Sequence, residues 1–156
     1  MTRLSMKILV LLLILYILMK QTKKRNKRTK QRGGLSFRKN IKNKKIKVCS
    51  KQPMTGYYRD GSCKTDIEDT GTHTVCAIMT DDFLRFSASM GNDLITPIPY
   101  YQFPGLKEGD KWCLCVNRWI EAEKAGKAPK LILEATHVKT LEYTNLDLLV
   151  KYAFLK

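Results

Sequence analysis

The first 51 residues carry seventeen Lys and Arg and no Asp or Glu, whereas residues 52–156 carry twelve basic against fourteen acidic side chains. From residue 20 to residue 51, where fifteen of those basic residues lie with little apolar surface between them, the chain repels itself and is expected to be disordered. Of the formal net charge of +15, the arm holds +17 and the remainder −2. The two parts are therefore separate physical objects, and the overall basicity describes only the first.

Within the arm, twelve uninterrupted apolar residues run from Ile8 to Met19. A bilayer core asks for about 20 residues, with roughly 17 as the lower limit, and a signal-peptide core for about 7–15. Length does not decide between them. No small-residue cleavage pattern follows, because Met19, Lys20, Gln21 and Thr22 lead directly into Lys23, Lys24 and Arg25. Residues 1–19 are therefore expected to be a hydrophobic helix acting as an uncleaved single-pass membrane anchor, in preference to a signal peptide for secretion. Eight basic residues lie between Lys20 and Arg32. The positive-inside bias then places the C-terminal domain in the cytosol. Residues 20–47 read as a basic disordered linker drawn to anionic lipid headgroups. Phe37 is the only aromatic between Lys20 and Lys51. Without further stacking rings, specific nucleic-acid recognition by this segment is not expected.

Residues 48–156 have the size of one domain with one modest core. Thr72–Thr80 alternates as a strand with Val75, Ala77 and Met79 on one face and Thr74, Cys76 and Ile78 on the other. Thr80 then caps a helix whose first turn holds Asp81 and Asp82, with Phe83, Phe86, Ser87 and Met90 inward and Gly91 ending it. Residues 92–109, with Pro97, Pro99, Pro104 and the aromatics Tyr100, Tyr101 and Phe103, read as an ordered loop that either packs down or walls a site. A second strand is expected over Lys111–Val116 and a helix capped by Asn117, carrying a Glu123–Lys127 pair. A third strand is expected over Leu131–Thr136, and a final helix opened by Thr144-Asn-Leu-Asp147. Helices interspersed with three or four short strands predict an α+β domain, a compact two-layer α/β sandwich.

No motif in the folded part names a reaction. Five cysteines, Cys49, Cys63, Cys76, Cys113 and Cys115, are an odd number, and a cytosolic placement keeps them reduced. Cys113-Leu-Cys115 on a strand puts two thiols on one face about 6.8 Å apart at the backbone. With His73 and His137 they compose a candidate Cys/His metal set, for which zinc is the fitting ion. The same residues are the candidates for catalysis, Cys113 or Cys115 as thiol nucleophile and His73 or His137 as its base. Against both stands the simpler account of cysteines as small buried apolar groups and histidines as partners of buried carbonyls. Arg59 and Arg118, with Trp112 and Tyr101, are the candidate binders of a small anionic ligand, unless the arginines pair with Asp66, Glu68 or Asp69.

Met54-Thr-Gly-Tyr-Tyr-Arg-Asp-Gly61, His73-Thr-Val-Cys-Ala77, Met79-Thr80, Gly91-Asn-Asp-Leu94, Phe103-Pro-Gly-Leu106, Gly109-Asp110, Trp112-Cys-Leu-Cys115, Arg118-Trp119 and Glu134-Ala-Thr-His137 occur in collinear order. Together they resemble DUF2237, a family of small, mostly bacterial proteins, over about residues 49–153. The resemblance implies a two-layer α/β domain and brings no catalytic assignment. Members usually read Cys-Cys where this chain has Ser62-Cys63, so a role needing adjacent thiols is not implied. They usually lack the arm, which makes the anchor an addition that places the domain at a membrane. Three functions follow from these readings. The first is a membrane-tethered cytosolic domain binding a small ligand or metal between the aromatic loop and the Trp112–Trp119 segment. The second is a thiol-dependent enzyme, and the third a structural interaction protein.

Overall fold

The computed structural model describes residues 38–155. The apolar run Ile8–Met19 and the basic residues up to Phe37 lie outside them. Among the described residues no helix is long and apolar enough to cross a membrane.

Alternation in Thr72–Thr80 produces strand β1, Val75–Ile78, which pairs antiparallel with β2, Lys111–Leu114. Val75 lies opposite Leu114, Cys76 opposite Cys113 and Ala77 opposite Trp112. Alternation sends side chains to opposite faces, and here the two faces bury different chemistry. Val75, Ala77, Met79, Trp112 and Leu114 enter the main apolar core with Phe83, Trp119, Leu131 and Leu149. Cys76 and Cys113 face a smaller core of Ile46, Cys49, Cys63 and Ala135.

Helix α1, Asp81–Ser89, begins as expected: the Thr80 hydroxyl accepts from Phe83 N at 3.2 Å. Phe83, Leu84 and Ser87 are its buried residues, while Met90, expected inward, is exposed. Met90 is the C-cap, and Gly91 follows with φ +78°, the left-handed conformation that suits glycine. Helix α2, Val116–Lys124, starts earlier than a cap at Asn117 predicts, with Cys115 as its N-cap. Lys127 does not pair with Glu123; its Nζ reaches Asp82 of α1 at 3.0 Å, and Glu123 Oε1 meets the Tyr152 hydroxyl instead. Helix α3, Leu146–Lys151, is capped by Asn145, whose side chain accepts from Leu148 N, just beyond the expected Thr144.

Among the described residues the domain is α+β with a two-stranded antiparallel sheet and three α-helices. The expected third strand, Leu131–Thr136, is interrupted by a 3-10 turn at Leu133–Ala135. It still runs beside β1. Ile132 N donates to Cys76 O at 2.9 Å, but the return bond from Cys76 N goes to the Thr136 hydroxyl at 3.2 Å. A side chain thus takes the place of a ladder carbonyl, and regular pairing stops.

Residues 38–47, expected to be linker, fold onto the domain. Ile41 and Ile46 are buried, Ile41 N donates to Thr136 O, and Asn40 Nδ2 donates to Glu134 O. Two isoleucines set between lysines suffice to dock a segment whose charges remain in solvent.

Candidate functional site

Asp69, Gly71, Thr72 and His73 form the turn into β1, and Cys115 stands where β2 becomes α2. Strand pairing brings these ends together. Beyond the Val75–Leu114 pair, Val116 N donates to Thr72 O at 3.1 Å. Thr72 has φ 51°, a conformation that costs a β-branched residue ~1–3 kcal/mol and persists only where surroundings impose it. Its carbonyl also accepts from Thr74 N at 2.8 Å, so the strained residue is held from both sides, immediately before His73.

Asp69 has a fully buried side chain, 0% exposed, that accepts two hydrogen bonds from His73. The His73 backbone N–H reaches Oδ2 at 2.8 Å and ring Nδ1 reaches Oδ1 at 2.6 Å. With Nδ1 committed as donor, Nε2 is the ring atom left for Cys115. Tyr57 stacks on the imidazole, 6.1 Å between centroids with 23° between planes. Gly71 leaves the ring its space, since a Cβ there would lie 2.5 Å from His73 Cε1. The hydrogen bond with Cys115 is the foremost cause raising His73 from 6.5 to about 9; the Cys115 negative charge and Asp69 add to it, and burial opposes.

Cys115 is the free thiol among the described residues, half-buried. As N-cap of the nine-residue α2 it sits at the positive end of the helix dipole, and the first turn of α2 holds no acidic side chain. In α1 that position is filled by Asp81 and Asp82. The amides of Asn117 and Arg118 have no acceptor within the helix. A buried carboxylate, an imidazole bonded to it and a nearby free thiol are the group types from which a nucleophile, its proton carrier and an orienting acid can be built.

His73 also opens onto a cavity of ≈ 280 Å³ lined with Tyr57, Arg59, Tyr101, Phe103 and Trp112. The Arg59 guanidinium lies 5.0 Å over the Trp112 ring, and Phe103 meets the same indole edge-on at 5.3 Å. Arg59, like Thr72 and Gln102, adopts positive φ, 52°. A guanidinium held on an aromatic floor beside an imidazolium suits a small anion with a planar or apolar body. Cys115 is not among the lining residues; it meets the cavity through His73. A larger cleft of ≈ 640 Å³ between Gln52, Ile95 and Lys107 brings no thiol or imidazole to its walls.

Of the expected site residues, the structure gathers His73, Arg59, Trp112 and Tyr101 around one cavity. Arg118 is elsewhere, donating to Met90 O at 3.2 Å and Glu121 Oε2 at 3.0 Å. His137 is buried at a turn, where Nδ1 accepts from Lys139 N at 3.1 Å and its own N–H donates to Thr74 O. Cys113 lines the cavity but is bonded to Cys63, and Cys76 is bonded to Cys49. Four cysteines expected as reduced thiols are thus paired, which follows from their burial together on one face of the sheet. The expected metal set of Cys113, Cys115, His73 and His137 is not assembled; among the described residues the close ligand group is Cys49, Cys63 and Cys76. Sequence reasoning reaches neither Asp69 as an orienting acid nor Tyr57 as a wall of the site. The position of Asp69, four residues before His73 across a glycine-containing turn, is the signal that could have found it.

A search among curated proteins returned no match. The profile of the family described as "Uncharacterized protein conserved in bacteria (DUF2237)" matches residues 39–153, beginning at the segment that docks through Ile41 and Ile46. The chain belongs to the DUF2237 family.

Proposed function

We propose that the domain is a thiol-dependent enzyme acting on a small anionic acyl compound, with Cys115 as nucleophile, His73 as proton carrier and Asp69 as orienting residue. The observation that carries this reading is the His73 ring itself, bonded through Nδ1 to a carboxylate with no exposure, opening onto the cavity, and raised foremost by Cys115. With His73 held to about 9, the ring is an imidazolium at neutral pH. The thiolate is the reactive form of cysteine, and an imidazolium beside the sulfur is placed to accompany it during attack.

Arg59 holds the carboxylate of the substrate over Trp112, and the Cys115 sulfur attacks a carbonyl carbon. The carbon–sulfur bond forms, the leaving group departs with the Nε2 proton, and a thioester remains. Neutral His73 next takes a proton from water, whose oxygen displaces the sulfur and returns the thiol and the ring to their starting state. Asp69 keeps Nδ1 protonated throughout, which fixes the tautomer that each step needs.

The reading is tested with the p-nitrophenyl half-ester of a short dicarboxylic acid, followed by intact mass. An acyl adduct that maps to Cys115 and is absent from Cys115→Ser supports it. Acylation that survives Cys115→Ser, or none above the hydrolysis rate of free cysteine, removes it.

We also propose that the Ile8–Met19 run tethers this activity to a membrane, with the domain on the cytosolic side and the lysines of the linker against anionic headgroups. A chain that washes off membranes in alkaline carbonate would contradict the tether.

A further inference from the structure

Cys76 and Cys113 face each other directly across β1 and β2, yet neither is bonded to the other. Each is joined to a cysteine of the segment before β1, Cys76 to Cys49 and Cys113 to Cys63. The result is two strand sulfurs opposed by two loop sulfurs in one buried group with Ile46 and Ala135. The sulfurs of Cys49, Cys63 and Cys76 lie within 4.8 Å of one another, and that of Cys113 is bonded to Cys63.

We propose that these four cysteines, once reduced, form a tetrathiolate site for one zinc ion. A tetrahedral site with zinc–sulfur bonds of about 2.3 Å separates its sulfurs by about 3.8 Å. Reaching that spacing asks each freed side chain to rotate toward a common centre on the existing backbone. That backbone is pinned independently of the sulfurs. Cys49 N donates to Gly61 O at 2.8 Å, Cys113 N to the Thr55 hydroxyl at 2.8 Å and Cys76 N to the Thr136 hydroxyl at 3.2 Å. A cleft lined by Cys49, Lys51, Asp110 and Lys111 opens to solvent beside the group, and its lining, two lysines against one carboxylate, is net positive next to the double negative charge of a zinc centre with four thiolates.

Each disulfide takes two electrons from a phosphine and two protons from water, whose oxygen leaves as the phosphine oxide, so the two disulfides give four thiols. One Zn²⁺ then displaces four protons and binds four thiolates. The same scaffold thus holds two disulfides in an oxidising compartment and a metal in a reducing one such as the cytosol. Cys115 takes no part, and Cys113 is the one proposed ligand that also lines the cavity of the acyl chemistry.

The test uses the full chain in detergent, reduced anaerobically with a phosphine and titrated with zinc alone. Before zinc, all five cysteines should react with a thiol reagent. After one equivalent only Cys115 should react, and one zinc should remain per chain after desalting. Cobalt in place of zinc should give the thiolate-to-metal absorption of a tetrahedral sulfur site. Cys115→Ser should keep the metal, and Cys63→Ser should lose it. Five thiols still reactive in the presence of zinc, or metal retention that depends on Cys115, would overturn the proposal without reliance on a variant that fails to fold.

Discussion

Asp69→Asn changes one buried oxygen into an amide nitrogen and removes the charge that meets His73 Nδ1 at 2.6 Å. His73 has a folded value of about 9, raised above its ordinary 6.5. The stabilisation is therefore fully present below about pH 6.5 and lost as pH rises through about 9. At 1.36 kcal/mol per pH unit the whole displacement corresponds to at most ~3 kcal/mol. The ring side chain is 32% exposed, and solvent screening brings the realised figure to ~1–2 kcal/mol. Asp69 ranks behind Cys115 among the causes, so its pH-dependent share is ~1 kcal/mol or less. Urea unfolding of wild type and Asp69→Asn at pH 6 and pH 10 isolates it. The loss at pH 6 should exceed that at pH 10 by ~0.5–1 kcal/mol, the common part reflecting the buried amide left facing a donor. An equal loss at both pH values, or a His73 ring that titrates near 6.5 by NMR, would refute the reasoning.

Gly71→Ala puts a methyl where His73 Cε1 now sits, 2.5 Å away, at a backbone conformation open to alanine. Alkylation of Cys115 should slow by at least ~10-fold, while unfolding free energy moves by no more than ~1 kcal/mol; a large stability loss with unchanged alkylation would contradict the geometry. Arg59→Gln should weaken binding of a fluorescent aryl carboxylate by ~10-fold or more, the share of one charge-assisted hydrogen bond. Arg118→Gln, whose side chain is tied to Met90 and Glu121, should leave that binding unchanged in equilibrium titration.

The elements that obey a period were readable from the sequence. Val75, Ala77 and Met79 alternate onto the apolar side and Cys76 onto the other, as period-two geometry requires. Thr80 and Gly91 bracket α1 because capping chemistry is local. The interruption at Leu133–Ala135 was not legible, since it depends on the Thr136 hydroxyl meeting Cys76 N sixty residues away. Nor was the docking of residues 38–47, where net charge conceals the burial of Ile41 and Ile46.

The site was half legible for the same reason. His73, Cys115, Arg59, Trp112 and Tyr101 are of types that chemistry favours, so composition points to them. What joins His73 to Cys115 rather than His137 is strand register together with the strained carbonyl of Thr72, neither of which a linear spacing reports. Cysteine pairing is a property of the folded face. Cys49 and Cys63 lie in a loop whose path is set by Gly61 O and Thr55, and no spacing rule connects them to Cys76 and Cys113.

The most direct measurement of the central claim is peptide mapping after brief treatment with substoichiometric iodoacetamide at pH 7, in wild type and His73→Gln. The account predicts modification at Cys115, faster than free cysteine and slowed in the variant. Labelling of Cys115 at the same rate with and without the imidazole, or none until the chain is unfolded, would contradict it.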